Sequence, residues 1–241
     1  MSILKGKVAL VIGGAGEVGE GVVRQFLTHG ATVVVPSRDE YRIEQLRNHL
    51  GQICCDRLIT FQAGCTTEEG GHDLRKKIEN EVGHLDTVVA SIGGWWQGEQ
   101  LSQVPLRIWN HIMENSLTAH FVAAKTFLPL LADQEGSCYI FLNGGAALYA
   151  IPTAGPISIT ASAQLMLKNV FVAEYEQHPI RINTLLVKTK INTRSQPNPK
   201  PYWITADEVG LYTVYLASPA CDLRGETIIF NERGEIPILF E

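Results

Sequence analysis

Short apolar runs alternate along the chain with segments in which apolar residues recur every three or four positions. The runs are four to seven residues long and rich in β-branched side chains. Continuous runs of this length are typical of strands that are buried on both faces of a sheet. The predicted strands are Val8–Ile12, Thr32–Val35, Leu58–Phe61, Thr87–Ala90, Cys138–Leu142, Ile180–Leu186 and Glu226–Phe230.

The segments between the strands carry helical spacing. It is visible in three sets of residues: Val18, Val22 and Phe26; Leu74, Ile78 and Val82; Leu165, Val172 and their neighbours. Two sequences predict helix starts with capping boxes, in which side chain and backbone satisfy each other: Thr66-x-x-Glu69 and Thr205-x-x-Glu208.

Strand–helix alternation over the whole length predicts right-handed crossovers and a parallel sheet covered on both faces. The fold class is therefore α/β: one doubly wound, Rossmann-like domain of about seven strands spanning residues 1–241. The Pro-rich segment Asn192–Tyr202, with Pro197, Pro199 and Pro201, is interpreted as a surface excursion and not as a domain boundary.

Composition narrows the class of protein. The 241 residues include 20 basic and 25 acidic side chains, a formal charge of −5, so nucleic acid is an unexpected partner. The first apolar stretch, Val8–Ile12, is too short for a membrane span, so we expect a soluble, cytoplasmic protein without a membrane partner. Five cysteines without C-x-x-C spacing, including the adjacent Cys54 and Cys55, predict neither a disulfide framework nor a metal site.

The first chemical signal lies between the first strand and the first helix. The candidate cofactor-binding residues there are Gly13, Gly14, Gly16, Val18 and Gly19. Glycines allow a tight turn and bring helix N-terminal N–H groups close to a pyrophosphate, so the pattern favours dinucleotide binding. A packing turn without a ligand is the alternative.

The second chemical signal lies at the end of the second predicted strand. There, an acidic residue would accept from ribose hydroxyls, whereas a cation would pair with a 2′-phosphate. Ser37 and Arg38 therefore favour NADP(H) over NAD(H). A solvated surface pair of Arg38 with Asp39 is the alternative.

The order of further features resembles the short-chain dehydrogenase/reductase superfamily over nearly the whole chain. Four segments show the resemblance. Val82–Gly93 resembles the fourth-strand region of the family, and the others are Trp109–Asn115, Ile180–Asn183 and Ala206–Ile229. The resemblance implies a nicotinamide cofactor near Ser91 and Gly93 and puts the active-site asparagine of the family at Asn115. Asn115 is a catalytic remnant or, alternatively, holds only a helix kink and a water.

The chain departs from the family at its proton-transfer groups. The alignment puts Ser158 at the tyrosine position, Ser162 at the lysine position and Asn143–Gly145 at the supporting serine. None of the seven tyrosines is followed by lysine four or seven residues later. Activity by the usual route is therefore not expected.

Other cofactor positions also differ from the family pattern. Gly64 stands where an adenine-contacting Asp is common, Val187-Lys188 replaces a Pro-Gly turn, and Glu17 puts a carboxylate near the pyrophosphate. Lys188 offsets phosphate charge or is simply a solvated loop residue.

Aromatic residues cluster around the altered site. Trp95, Trp96, Tyr149 and Trp203 follow predicted strands whose ends open on one crevice, so they are candidates for a substrate crevice, and Tyr149 is a speculative proton donor. Packing of rearranged loops is the alternative.

Three functional hypotheses follow. The protein is an NADP(H)-linked oxidoreductase with altered acid–base groups, a non-catalytic NADP(H)-binding sensor or partner subunit, or a protein whose crevice takes another small ligand or a non-redox reaction.

The resemblance also implies a homodimer or homotetramer. It would form through helices from about Leu106 and Ile157, with an apolar face that is made of Leu165, Met166, Leu167 and Phe171.

Overall fold

The computed structural model describes residues 2–54, 56–196 and 198–236, so Cys55 and Pro197 lie outside the described residues. The chain alternates strands and helices as predicted, and no end of a predicted strand differs by more than two residues from the observed one. The strands are β1 Val8–Ile12, β2 Thr32–Ser37, β3 Leu58–Gln62, β4 Thr87–Ala90, β5 Cys138–Gly144, β6 Arg181–Val187, β7 Ile191–Asn192, β8 Ile204–Thr205 and β9 Thr227–Phe230. The helices are α1 Glu17–Thr28, α2 Glu40–Leu50, α3 Glu68–Glu81, α4 Leu106–Met113, α5 Ala119–Leu131, α6 Gly155–Glu174 and α7 Ala206–Ala217.

Seven strands form one parallel sheet in the order β3-β2-β1-β4-β5-β6-β9. β1 pairs with β2 on one side and with β4 on the other, so the strand order reverses beside β1. A crevice opens at such a reversal, outside the carboxyl ends of the strands. This sheet confirms the doubly wound α/β fold.

Alternate residues of each strand supply two apolar layers. Along β1, Leu10 packs with Leu74 of α3 and Phe127 of α5. Its neighbour Val11 packs on the opposite face with Val22 of α1 and other side chains of α1 and α7. Both faces of the sheet are therefore covered, which is why its strands are apolar without alternation.

Helices α1 and α7 cross at two glycines. A Cβ atom at Gly21 would lie 2.2 Å from the carbonyl oxygen of Ala206, and one at Gly210 would lie 2.3 Å from that of Gly21. This close contact holds the N-terminal part of α7 against α1. Nothing in the sequence analysis anticipated it.

One predicted helix start is wrong. α3 begins at Glu68, and its cap is Thr67, whose hydroxyl accepts from the backbone N–H of Gly70 at 3.1 Å. The Thr66-x-x-Glu69 box does not form because the helix starts one residue later, and Gly70 has no side chain to return the bond. The Thr205–Glu208 box is confirmed at α7.

The Pro-rich excursion lies between β7 and β8, which pair with each other outside the main sheet. In the part of the chain that the structure describes, no helix is both long enough and apolar enough to cross a membrane.

Candidate functional site

A cleft of about 360 Å³ opens at the carboxyl ends of β1, β2 and β4. Its position beside the strand reversal is the one expected for a nucleotide in a doubly wound sheet. Six of the nine predicted cofactor-binding residues line it: Gly13, Gly16, Ser37, Arg38, Ser91 and Gly93.

The glycine turn brings backbone close to backbone. Gly13 has φ +80°, and a Cβ there would lie 2.0 Å from the carbonyl oxygen of Ser91. A Cβ at Gly19 would lie 2.2 Å from the carbonyl oxygen of Gly13. The α1 N-cap, Gly16, offers no side chain to the first N–H groups of the helix. These groups are therefore available to an anion.

The remaining residues of the motif pack inside the domain. A Cβ on Gly14 would touch Val23 and Val35 at 3.0 Å, so this glycine sits tightly between α1 and β2. Val18 packs against the core layer of α1 and α7. Gly14, Val18 and Gly19 therefore shape the turn, while Gly13 and Gly16 line the cleft.

The end of β2 supplies the positive charge of the cleft. The Asp39 carboxylate caps α2 by accepting from Tyr41 N–H at 3.0 Å, and its ion pair, at 3.9 Å, is with Arg42. No carboxylate of the described residues forms an ion pair with Arg38. The alternative Arg38–Asp39 pair is therefore not the observed one, and Arg42, which the sequence analysis overlooked, joins Arg38 in lining the cleft.

Gly64 makes room for Arg38. A Cβ on Gly64 would lie 2.7 Å from Cγ of Arg38, so the aliphatic stem of the arginine crosses the glycine. Glycine at position 64 thus leaves the space that the Arg38 side chain occupies.

The serines at the proton-transfer positions hold loops together. The Ser158 hydroxyl accepts from Ile151 N–H at 3.1 Å, and Ser158 is buried. The Ser162 hydroxyl donates to the Ala147 carbonyl at 2.8 Å. Nearby, the Asn143 side chain donates to the Ala161 carbonyl at 2.9 Å. All three bonds tie α6 to the segment around the end of β5.

Lys168, farther along α6, does not replace the missing lysine. Its ammonium donates to the Gly225 carbonyl at 2.7 Å, at the start of β9, and the residue is buried. Burial lowers the pKa of Lys168, while the charge of Glu226 acts in the opposite direction. This cation therefore serves the packing of α6 against the edge of the sheet.

Asn115 lies on a π-helical turn, Glu114–Thr118, that joins α4 to α5. Its side-chain amide donates to the His111 carbonyl at 2.9 Å, and both residues line the cleft. π-helical turns are frequent at functional sites. The geometry suits either of the two interpretations of Asn115, a remnant of catalysis or a support for the kink.

A buried histidine lies just below this turn. His120 Nε2 is 3.2 Å from the carbonyl oxygen of Ile92, which can only accept, so this nitrogen carries the proton. Nδ1 has no partner among the described residues. Burial lowers the pKa of His120 to about 4, although the bond to Ile92 works against this shift. The ring is therefore neutral near pH 7.

The four predicted crevice aromatics do not form one cluster. Trp95 is 62% exposed and Tyr149 is 54% exposed, whereas Trp96 packs against an apolar cluster that includes Ile112. Within residues 2–54, 56–196 and 198–236, no ring contact joins any two of the four. Two of the four rings have a lysine ammonium nearby: that of Lys188 lies 5.9 Å from the Tyr149 ring centre, and that of Lys190 lies 5.4 Å from the Trp203 ring centre.

A strained residue fixes the loop after β4. Thr153 has φ +63°, an outlier for a β-branched residue. Its carbonyl accepts from Gly98 N–H at 2.8 Å and its hydroxyl accepts from the Gln97 side chain at 3.0 Å. The loop that carries Trp95 and Trp96 is thereby anchored to the segment before α6.

At the start of α1, Glu17 faces the segment that follows β7. Burial raises the pKa of Glu17, but hydrogen bonds from Ser195 and Thr193 and the charge of Arg194 outweigh it, so the pKa lies below its usual value. The carboxylate is therefore ionised near pH 7. Glu17 could be identified from the sequence, whereas these three residues could not, because they are distant in the chain.

No group of three or more His, Cys, Asp or Glu side chains that could hold a metal occurs among the residues the structure describes. The lining of the cleft includes Gly13 and Gly16 and the cations Arg38 and Arg42, which are groups that suit phosphate recognition.

Comparison with known proteins identifies one protein family over most of the chain. The family model for short chain dehydrogenases matches residues 7–199. Cis-1,2-dihydrobenzene-1,2-diol dehydrogenase of Pseudomonas putida is 27% identical over 185 residues, which are 75% of this chain and 65% of that protein. Dehydrogenase/reductase SDR family member 4 of Rattus norvegicus is 24% identical over 251 residues, covering 94% of this chain and 86% of its own.

Solved structures share the fold. A dehydrogenase/reductase from Sinorhizobium meliloti 1021 superposes with a TM-score of 0.85 at 20% identity, covering 95% of this chain and 96% of that one. A short-chain dehydrogenase/reductase from Serratia marcescens BCRC 10948 gives 0.83 at 18% identity, with coverage of 95% and 97%. With the matched family model, the sheet order and the cleft at the strand reversal, the chain belongs to the short-chain dehydrogenase/reductase family.

Proposed function

We propose that the protein binds NADP(H) in the cleft at the ends of β1, β2 and β4 and does not carry out the proton transfer usual in its family. The observation that carries this proposal is the pairing of an open glycine turn with Arg38, a cation that no described carboxylate neutralises. The family generally binds nicotinamide dinucleotides. A sensor or a partner subunit fits this combination best.

The preference for NADP(H) rests on charge. Arg38 and Arg42 line the cleft beside Ser37, and the Asp39 carboxylate that follows β2 is engaged by the α2 backbone and Arg42. A 2′-phosphate would therefore meet cations and a hydroxyl. The ribose diol of NAD(H) would lack the carboxylate partner that favours it.

The absence of proton transfer rests on what the two serines do. A serine hydroxyl is a far weaker acid than a phenol, and neither serine can supply the positive charge of a lysine. Ser158 and Ser162 are also engaged in bonds between α6 and its neighbouring loops. Tyr149 with Lys188 is an alternative pair, supported by the 5.9 Å between the Lys188 ammonium and the Tyr149 ring centre.

An oxidoreductase that uses Tyr149 is thus the second candidate. It requires NADPH oxidation across a panel of carbonyl compounds at a rate above buffer, and loss of that rate in Tyr149→Phe. Absence of turnover in the wild-type protein would remove this candidate and leave the binding function standing.

The 2′-phosphate preference is tested by Arg38→Ala. Loss of one charge-assisted bond weakens NADP⁺ binding by about tenfold to a hundredfold and leaves NAD⁺ affinity within about twofold. Calorimetric titration measures both. Arg75→Ala is the matched control, since Arg75 pairs with Glu79 on the exposed side of α3 and carries the same charge. An equal loss for both dinucleotides, or no loss, contradicts the assignment.

The cytoplasm is the compartment we propose. Cys54, Cys65, Cys138 and Cys221 are free thiols, and buried thiols persist in a reducing compartment.

A further inference from the structure

The His111 side chain lies at the wall of the cleft. His111 belongs to α4 and lines the cleft together with Gly93 and Gly94, which follow β4. The residue is exposed, so its ring is not buried in the core. Ile112, the next residue of α4, is buried in an apolar cluster. Ile112 therefore anchors α4 in the interior, while the neighbouring His111 side chain is accessible to a ligand in the cleft.

A backbone bond fixes the orientation of the Asn115 side-chain amide. Asn115 follows His111 by one helical turn, and its Nδ2 atom lies 2.9 Å from the His111 carbonyl oxygen. Because a carbonyl oxygen can only accept, the atom that faces it is the amide nitrogen and not the amide oxygen. The same nitrogen lies 3.3 Å from Nδ1 of the His111 ring. Its two hydrogens therefore serve the backbone and the ring of one residue.

These two contacts determine which nitrogen of a neutral His111 ring carries the proton. An amide nitrogen can only donate, so Nδ1 is the acceptor in the contact with Asn115. In a neutral imidazole the other nitrogen, Nε2, then carries the hydrogen. Among the residues that the structure describes, none forms a hydrogen bond or an ion pair with Nε2. The cleft therefore has an N–H donor that a ligand can engage.

The π-helical turn Glu114–Thr118 carries the group that orients this donor. In the described part of the chain, the amide nitrogen of Asn115 bonds to His111 alone. The hydrogen bond made by one ring nitrogen of a histidine sets the state in which the other nitrogen meets its ligand. Asn115 and His111 therefore act as one unit, in which the amide orients the ring.

We propose that His111 is a ligand-contacting residue of the cleft, whose Nε2–H donates to an oxygen of the bound dinucleotide, and that Asn115 is its positioning residue. This inference rests on the proposed function and deepens it, because it adds a second ligand contact to that of Arg38, on a different element of the cleft. It also gives Asn115 a role that does not depend on the proton-transfer groups of the family. The contact is a hydrogen bond from a neutral ring and transfers no proton.

The test is a double-mutant cycle for NADP⁺ affinity. Calorimetry at about pH 8, where imidazole is mostly neutral, compares wild type, His111→Phe, Asn115→Ala and the double variant. His111→Phe keeps a ring but has no N–H, so it weakens NADP⁺ binding by about fivefold to thirtyfold. Asn115→Ala weakens binding by about threefold in the wild-type background and by less than about 1.5-fold in the His111→Phe background, since the amide acts through the ring.

His72→Phe is the matched control. His72 is an exposed histidine of α3 that does not line the cleft. The same substitution at this distant position leaves NADP⁺ affinity within about 1.5-fold of wild type.

Nitrogen-15 NMR measures the state of the ring directly. Two-bond proton–nitrogen correlation spectra of the wild type are recorded at the same pH, and the His111 signals are identified by their loss in His111→Phe. We expect the Nε2–H form, and a shift of the Nε2 resonance when NADP⁺ binds. The Nδ1–H form in the wild type would overturn the orientation by Asn115 and the proposal with it. This measurement decides even where Asn115→Ala loses its fold by circular dichroism.

The outcomes separate this proposal from the binding function. If NADP⁺ binds the wild type and His111→Phe equally well, the His111 contact is wrong and the binding function stands. If Asn115→Ala weakens NADP⁺ binding equally in both backgrounds, Asn115 supports only the helix kink and its positioning role is overturned. If NADP⁺ does not bind the wild type, both proposals fail.

Discussion

At the residue scale, the cleft is shaped by what each side chain is already bonded to. The Asp39 carboxylate caps the start of α2 and pairs with Arg42. It therefore does not pair with Arg38, whose guanidinium can contact a ligand. The hydroxyls of Ser158 and Ser162 are bonded to the backbone of neighbouring loops. The identity of these five residues could be read from the sequence. The engagement of each side chain could not, because it depends on which loop lies opposite.

His120 makes the stability of the fold sensitive to acid. Its pKa in the folded protein is about 4, below the usual value of 6.5, since burial disfavours the charged ring. Above pH 6.5 both folded and unfolded chains carry a neutral ring, so the residue contributes no pH dependence there. Between pH 6.5 and 4 the unfolded chain binds a proton that the folded one does not. Stability therefore falls, by about 2 kcal/mol between pH 7 and pH 5.

Urea unfolding at the two pH values measures this loss. The reference is His120→Gln, which keeps a polar side chain at the site without an ionisable group, so that other titrating residues contribute equally to both proteins. The wild type loses about 2 kcal/mol more than the variant. Equal losses would show that the pKa of His120 is the same in the folded and the unfolded protein.

At the scale of elements, the start of α3 shows the limit of a short motif. Thr66-x-x-Glu69 and Thr67-x-x-Gly70 differ by one position, and only the folded backbone selects Thr67 as the cap. Thr67→Ala is expected to cost about 1 kcal/mol, because a backbone N–H loses its partner, whereas Thr66→Ala costs less than about 0.5 kcal/mol. Thermal or urea unfolding of the pair checks this. A larger loss of stability in Thr66→Ala than in Thr67→Ala would instead identify Thr66 as the helix cap.

The strands were predictable because burial on both faces favours nearly continuous apolar sequence, as in β1 and β4. The two-residue strands β7 and β8 were missed, since two residues carry no periodicity. The Gly21–Gly210 crossing was missed for another reason. Glycines inside helices are costly locally, and only the neighbouring helix explains them.

At the scale of the whole molecule, an apolar surface remains on α6. Of the residues predicted to form an oligomer face, Met166 is 62% exposed, whereas Leu165, Leu167 and Phe171 pack against the interior. Exposed Ile159 and Val170 lie on the same side of α6 as Met166, by helical spacing. α6 therefore has an exposed apolar surface made of Ile159, Met166 and Val170, and of the four predicted residues Met166 alone belongs to it.

We propose that this surface joins copies of the chain. Light scattering is expected to give twice or four times the mass of the 26.5 kDa chain, and Met166→Glu is expected to shift it toward the single-chain mass, because burying a charge without a partner is costly. Tyr202→Glu is the control, since Tyr202 is equally exposed but lies in the excursion after β7. A wild type at the mass of one chain refutes the assembly.

The contact between α1 and the segment after β7 also belongs to this scale, since Arg194 meets Glu20 only when the first helix and the excursion after β7 are both folded. The sequence could identify Glu17 as unusual within a glycine turn. It could not identify what neutralises it, just as it could not assign Arg42 to the cleft.

The proposed function requires that NADP(H) bind in the cleft. Calorimetric titration of NADPH into the wild-type protein measures this binding. We expect saturable binding at one site per chain, displaced by adenosine 2′-monophosphate. Absence of binding at millimolar NADPH would contradict it.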